Sequence, residues 1–330
     1  MKRLLSVLLL LSIVFALTAC RREAPQAAAR PTPTPTPRST TLPPVPTTLP
    51  IGAAGNPVRV LLVPRPTGVG DRAIAQAGQA LSEALPAASG LSIDLAIARN
   101  DAEAVAEVCA STPERVRVAW VSGAGYVAVH AAGCGAAAMR AVREQGEERL
   151  SGEPVVLYAS QSSGITAAAD VAGKTLCRLN IDDLYTSVIP LMMLRAAGGD
   201  SAVTPARIRD VESFDLLLPA LADGTCDAAG MRLSDFEEYA SSPQVRAAVT
   251  EVTRSVEMPF AVLVVPPFMP LAQRAALIDA FTTIGNGSQA AAALRPILGH
   301  SALVNADDND FSRLRAFFTQ ARLDLARLGS

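Results

Sequence analysis

Val58-Arg59-Val60-Leu61-Leu62-Val63 is the stretch on which the reading of this chain turns. It is an apolar, partly β-branched run that stops at Pro64, the form of a strand buried on both faces. Downstream, Ile74, Ala77, Gly78, Leu81 and Leu85 recur at helical spacing, with Arg72, Gln76, Gln79 and Glu83 on the opposite face. Leu91 to Ile97 then alternates as a second strand, and Asp101 is placed to cap a helix running to Ala110 with Val105 and Val108 inward. Val116 to Val121 reads as a third strand, followed by a short helix from Gly123 to Ala132. Strand, helix, strand, helix, strand predicts an α/β fold: a doubly wound sheet whose ligand crevice opens at the strand ends.

The pattern then restarts. Strands are expected over Pro154–Ala159, Ile208–Val211, Cys226–Met231 and Ala261–Val265, and residues 169–176 turn into another. Helices are expected over Leu184–Ala197, Phe214–Ala222, Pro270–Ile284, Ser288–Leu294 and Phe311–Leu328. Two α/β lobes follow, with the chain crossing near residue 159 and again near 258. Lobe I is assigned residues 57–158 and 259–330, and lobe II residues 159–258. Such a pair closes on a solute by hinge rotation.

Upstream of the fold, Lys2 and Arg3 precede an apolar run from Leu4 to Leu17 that ends in Leu17-Thr18-Ala19-Cys20. A short basic start, a brief apolar core and small residues at the cut describe a secretory signal peptide, here residues 1–19. The tetrapeptide ending in cysteine resembles the bacterial lipobox, which implies that Cys20 is acylated. Each buried methylene adds about 0.8 kcal/mol, so two or more chains hold a protein at a membrane. Residues 20–56 are polar and proline-rich around Pro31-Thr32-Pro33-Thr34-Pro35-Thr36-Pro37, a disordered, extended tether at about 3.1 Å per residue. The expected location is extracytoplasmic, anchored to a cell membrane by lipid.

Lysine plus arginine number 29 against 31 acidic residues, and removal of Lys2 and Arg3 leaves 27 against 31, a net charge of -4. With aromatics at 4% and no basic block, nothing points to nucleic acid. Besides Cys20 there are Cys109, Cys134, Cys177 and Cys226. Four cysteines allow three pairings, and local context favours Cys109 with Cys134 and Cys177 with Cys226. There is no CxxC pair and no cysteine–histidine cluster, and the histidines are His130 and His300 alone. The pattern calls for no metal, no cofactor and no nucleophilic catalysis.

A family resemblance rests on ordered landmarks. Val118-Ala119-Trp120 with Tyr126, Asp170-Val171-Ala172-Gly173-Lys174-Thr175, the stretch from Pro190 to Gly198, Asp223-Gly224-Thr225-Cys226-Asp227-Ala228 and Asn305-Ala306-Asp307-Asp308-Asn309-Asp310-Phe311 occur in sequence. Together they resemble the phosphonate/phosphite/phosphate-binding proteins of ABC importers, a branch of the type II periplasmic binding fold. The resemblance implies a solute-binding protein, monomeric, that delivers a small-molecule ligand to an ABC permease and performs no enzymatic step. A receptor-like or structural lipoprotein using the same lobes for protein contacts is the alternative.

The ligand positions depart from the family. Where its members carry a Ser/Thr-rich anion seat at the start of the second lobe's main helix, this chain has Asp182, Asp183, Leu184, Tyr185 and Thr186. Carboxylates beside an oxyanion at 4 Å cost about 4 kcal/mol at an effective dielectric of 20. Alternatively, one aspartate caps the helix. Phe214-Asp215 replaces a histidine–carboxylate element, and Pro259-Phe260-Ala261-Val262 replaces a polar hinge element. The expected cleft thus gathers Trp120, Ser122, Tyr126, Tyr185, Thr186, Phe214, Asp215 and Phe260, with Asp182 and Asp183 at one end and Arg65 as a possible partner for them or for a ligand carboxylate. Such a lining suits a neutral or cationic organic solute.

Overall fold

The computed structural model describes residues 49–64, 69–145, 147–198, 204–287 and 291–322. The expected leader, Cys20, most of the tether and Arg65 lie outside these residues. In the first half the order is β1 (Val58–Leu62), α1 (Asp71–Ser89), β2 (Ile93–Ile97), α2 (Asp101–Cys109), β3 (Arg117–Val121), α3 (Gly123–Ala131), β4 (Ala136–Gln145) and β5 (Glu148–Leu150). Then come β6 (Gly152–Ser160), β7 (Thr175–Arg178), a π-turn at Leu184–Val188 running into α4 (Ile189–Gly198), β8 (Arg207–Asp210), α5 (Phe214–Ala222), β9 (Ala228–Arg232), α6 (Leu233–Tyr239), α7 (Pro243–Ala248) and β10 (Val249–Pro259). The chain closes with β11 (Val262–Val265), α8 (Leu271–Asn286), α9 (Ala291–Leu298), β12 (Ala302–Asn305) and α10 (Ser312–Gln320).

These strands make two sheets. One has the order β12-β4-β11-β3-β1-β2, with β5 added on β4; the other has the order β10-β6-β9-β7-β8. In the first, β1 pairs parallel with β2 and β3. β11 runs antiparallel to both β3 and β4, so β4 points the same way as β3. In the second, β7 lies parallel to β8 and β9, and β6 is antiparallel to β9 and β10.

Local chemistry explains most elements. α1 buries Ala77, Gly78, Leu81 and Leu85, the predicted face, and ends at Gly90, whose φ of 68° lets its N–H reach the Pro86 carbonyl. Asn100, not Asp101, caps α2: its side chain accepts from the Glu103 N–H at 2.9 Å. The Asp101 carboxylate instead accepts the Ser122 N–H at 2.9 Å, tying α2 to the start of α3.

Apolar packing covers both faces of each sheet. Trp120, Leu81, Phe281 and Leu294 belong to a core shared by the first sheet with α1, α8 and α9. On its other face, side chains of α2, α3 and α10 form a cluster that continues into lobe II through Val155, Leu157 and Met192. Beyond the second sheet, Tyr158, Met231 and Leu218 pack with the α5–α7 side. Cys109–Cys134 and Cys177–Cys226 are disulfide-bonded as expected, across separations of 25 and 49 residues. Closing loops of those lengths stabilises by about 3.5 and 4 kcal/mol in the chain-entropy account.

Three expectations change. β4, β5, β10 and β12 were not expected as strands; β4 is Ala136-Ala137-Ala138-Met139-Arg140-Ala141-Val142, whose alanines carry helical propensity, and pairing on both sides overrides it. The tether ends sooner than Asn56: Gly52 and Asn56 pair, Ser92 N–H donates to the Gly52 carbonyl at 2.7 Å, and Ile51 packs on the first core. Finally, β6 belongs to the second sheet, so the first crossing falls at Leu150–Gly152 and not near residue 159.

Candidate functional site

Parallel sheets open their crevices at the carboxyl ends of the strands. In lobe I those ends carry Ser122 after β3 and Arg143 near the end of β4; in lobe II they carry Arg232 at the end of β9 and the turn from Arg178 to Thr186 after β7.

The turn decides what the start of α4 can hold. One Asp183 carboxylate oxygen accepts the N–H groups of Tyr185 at 3.1 Å and Thr186 at 2.6 Å, and the Thr186 hydroxyl at 2.8 Å. Thr186 is fully buried, and its hydroxyl oxygen also accepts the Leu179 N–H at 3.0 Å. The donors that a helix N-terminus offers to an anion are therefore turned onto the chain's own carboxylate. Of the two readings of the aspartate pair, Asp183 takes the cap. Asp182 is exposed, with its N–H on the Asn180 side chain at 2.9 Å. Ser122 plays the matching part in lobe I, its hydroxyl accepting the Gly125 N–H at 3.1 Å.

Several expected lining residues sit elsewhere. Trp120 is fully buried in the α1–α8 core, edge-on to Phe281 at 5.5 Å, because alternate residues of β3 face opposite sides of the sheet. Tyr126 is also fully buried. Its hydroxyl donates to Asp308 at 3.0 Å and receives from Arg315 at 2.7 Å, while Asp308 also accepts the Ala137 N–H at 3.0 Å. Burial, reinforced by the Asp308 charge, raises the phenol pKa. This network fastens the start of α10 to lobe I. Phe214 stacks on Tyr239 at 5.1 Å on the α5–α7 side of the second sheet, and Asp215 is exposed.

What does converge between the sheets is a group of charges that the sequence reading passed over. The Arg232 guanidinium binds Asp235 at 2.9 and 2.6 Å, lies 3.7 Å from Glu153, and covers the Tyr185 ring at 4.8 Å. Burial by itself would lower its pKa; the Asp235 hydrogen bonds and charge outweigh that and raise it. Glu153 is buried and accepts the Ser234 N–H at 3.3 Å. Arg143 lies 4.0 Å above the Phe260 ring and donates Nε–H to the Gly299 carbonyl at 2.8 Å. Burial, then the field of Arg232, hold its pKa below the ordinary guanidinium range. Tyr185 and Phe260 each carry one of the chain's own guanidinium groups on a ring face, Arg232 at 4.8 Å and Arg143 at 4.0 Å. Arg143 escaped notice because β4 did. Arg232 carried a usable signal, a charge at the carboxyl end of a strand that was read.

A cavity of about 630 Å³ adjoins this group. It is bounded by β5, the crossing strands β6 and β10, and α6, and it shares Glu153 with the charge cluster.

Comparison with known proteins agrees with this architecture. A Xanthomonas citri protein solved with chloride ion superposes with a TM-score of 0.58 at 14% identity, over 82% of this chain and 99% of that one. A binding protein component of an ABC phosphonate transporter from Pseudomonas aeruginosa gives 0.52 at 15%, over 83% and 89%. A Prochlorococcus marinus protein in complex with methylphosphonate gives 0.50 at 10%, over 81% and 99%. No curated protein sequence matches the chain. The family model described as ABC transporter, phosphonate, periplasmic substrate-binding protein matches residues 70–311. With two lobes, two crossings and that match over most of its length, the chain belongs to the periplasmic substrate-binding proteins of phosphonate ABC transporters.

Proposed function

We propose that this protein is the lipid-anchored, extracytoplasmic solute-binding component of an ABC importer, and that it has given up phosphonate for another small organic solute. Cys20 carries the anchor, and the Pro/Thr-rich segment holds the lobes away from the membrane. Capture proceeds by closure of the lobes about β6 and β10, followed by docking on the permease and release; no covalent step is involved.

One observation carries the change of specificity. The start of α4 is filled by the Asp183 carboxylate through three hydrogen bonds. A phosphonate dianion arriving there would meet a negative charge, with the Tyr185 and Thr186 N–H groups already engaged. At an effective dielectric of 20, like charges 4 Å apart cost about 4 kcal/mol, nearly three decades of affinity. Calorimetric titration of the purified protein with methylphosphonate and with phosphite tests this. No heat of binding at micromolar concentrations is expected, and a micromolar Kd for either would refute it. Mass spectrometry of small molecules released from the freshly purified protein then identifies the solute.

A further inference from the structure

We propose that Arg143 is the anion-binding residue of this site and that the solute is a small organic acid presented by a single carboxylate. The inference rests on the solute-binding reading above and names the class of solute.

Three features of Arg143 lead there. It stands near the carboxyl end of β4, the ligand end of the first sheet, and across the junction from Arg232 and Tyr185 of lobe II. Its guanidinium is held in place by parts that do not neutralise it: the Phe260 ring at 4.0 Å below one face, and the Gly299 carbonyl at 2.8 Å on Nε–H. The terminal Nη edge is left to grip a planar anion with two parallel hydrogen bonds, the geometry that carboxylates match. No carboxylate lies within 4.0 Å of it among the described residues, whereas Arg232, beside it, has both Asp235 and Glu153. Glu153 acts on this half-buried guanidinium only through space, from beyond 4.0 Å, and an arriving anion in direct contact relieves the remaining cost.

Charge bookkeeping selects a monoanion. Arg143 and Arg232 are balanced by Glu153 and Asp235, so the cluster is neutral as a whole, with its positive end at Arg143. One added negative charge is matched by Arg143; a second would face Glu153, which is buried and cannot turn away into water. The adjoining cavity of about 630 Å³ is of the size that small-molecule sites occupy; it reaches the cluster at Glu153, and its wall also carries Glu148, Glu237, Glu257, Arg254 and Arg313.

The test compares isosteres. Propionate and benzoate are titrated into the purified protein beside propionamide and benzamide, which keep the shape and remove the charge. The expected result is that a carboxylate binds at least about tenfold more tightly than its amide. Arg143→Gln should erase that ratio, and Arg143→Lys, which keeps the charge without the fork, should retain part of it. Thermal melts of both variants confirm that they fold. Equal affinity for acid and amide, an unchanged ratio in Arg143→Gln, or no binding of any of the four compounds would overturn the seat. Small-angle scattering distinguishes the two levels: compaction with an amide, or with a solute recovered from the protein, preserves the transport reading while removing the carboxylate. Methylphosphonate binding that Arg143→Gln abolishes would overturn both.

Discussion

Replacing Asp183 by alanine separates the two consequences of the self-capped helix. The variant removes an acceptor of three hydrogen bonds: the Tyr185 and Thr186 N–H groups and the Thr186 hydroxyl. Water can reach the half-exposed position of Asp183, but Thr186 is fully buried, so two of the three donors are poorly resolvated. Loss of an N-cap costs up to about 2 kcal/mol, and the upper figure applies because the acceptor is charged and one donor residue is inaccessible. At about 2–4 °C per kcal/mol for a chain of this size, the melting temperature should fall by about 4–8 °C. Asp183→Asn, which keeps an oxygen acceptor, should recover at least half of that loss. The second consequence is gain of function. With the carboxylate gone, the helix start offers free donors, and an anion that binds there restores stability. At about 10 mM methylphosphonate and a Kd near 1 mM the recovery is about 1.4 kcal/mol. Scanning fluorimetry of wild type, Asp183→Ala and Asp183→Asn with and without methylphosphonate reads both effects at once. An unchanged melting temperature in Asp183→Ala would refute the cap. Equal stabilisation of wild type and variant by methylphosphonate would refute the idea that the aspartate closes the seat.

Two further outcomes follow from buried groups. The His300 Nε2–H reaches the Gly285 carbonyl at 3.2 Å while Nδ1 is buried without a partner, and burial lowers its pKa to about 4 from 6.5. The unfolded chain therefore binds more protons between those values. The stability held by the neutral ring is complete above pH 6.5 and is lost as the pH falls toward 4, by about 3 kcal/mol in all. Urea unfolding of wild type and His300→Gln should show that the variant loses this slope between pH 6.5 and 5; parallel curves there would count against it. A Cβ at Gly230 on β9 would stand 2.0 Å from Cγ of Pro190 on α4, and a proline ring cannot rotate aside. Gly230→Ala should cost about 3 kcal/mol in overpacking, read by denaturant midpoint, and adding Pro190→Ala should return most of it.

The legible part of the fold was the part written in periodicity. α1 shows its buried face as Ala77, Gly78, Leu81 and Leu85, and β1, β3, β9 and β11 are apolar runs that only a covered sheet accepts. β4 was illegible because three consecutive alanines do not alternate in polarity; its identity as a strand comes from β11 and β12 on either side. The exposed, charged β10 is similarly defined by β6, not by its own residues. For the site, aspartates at the start of α4 could be read from the sequence, whereas the choice between cap and repulsive wall needed the hydrogen bonds of one oxygen. Aromatic residues were gathered by type, yet Trp120, Tyr126 and Phe214 face three different packing environments. The arginine cluster depends on side chains from β4, β6 and β9 meeting across a junction, a relation with no local trace in the chain.

The crossing strands give that cluster its mechanical meaning. Gly152 pairs with Pro259 and Glu153 with Met258, and the Phe260 N–H donates to the Ser151 carbonyl at 3.2 Å, so the two crossings form one ribbon. Gly152 is required there, since a Cβ would come within 2.3 Å of the Met258 carbonyl oxygen. A hinge made of paired strands twists as a unit, and every residue fixed to it moves with the twist. Phe260, under Arg143, directly follows one crossing; Glu153, which reaches Arg232, directly follows the other. A twist at the ribbon would therefore alter the spacing of the two guanidinium groups. Arg232 already holds Asp235 and Glu153, so Arg143 does not face a bare guanidinium across the junction, and an anion placed on Arg143 changes the charge balance between the two sides. α10 packs against α3, α4 and β10 and is fastened to lobe I by the Asp308–Tyr126–Arg315 network, so it bridges the two lobes beside the ribbon. On the solute-binding reading proposed above, charge at the Arg143 seat and rotation at the ribbon would be coupled, and that is the coupling a binding protein needs in order to signal occupancy to a permease.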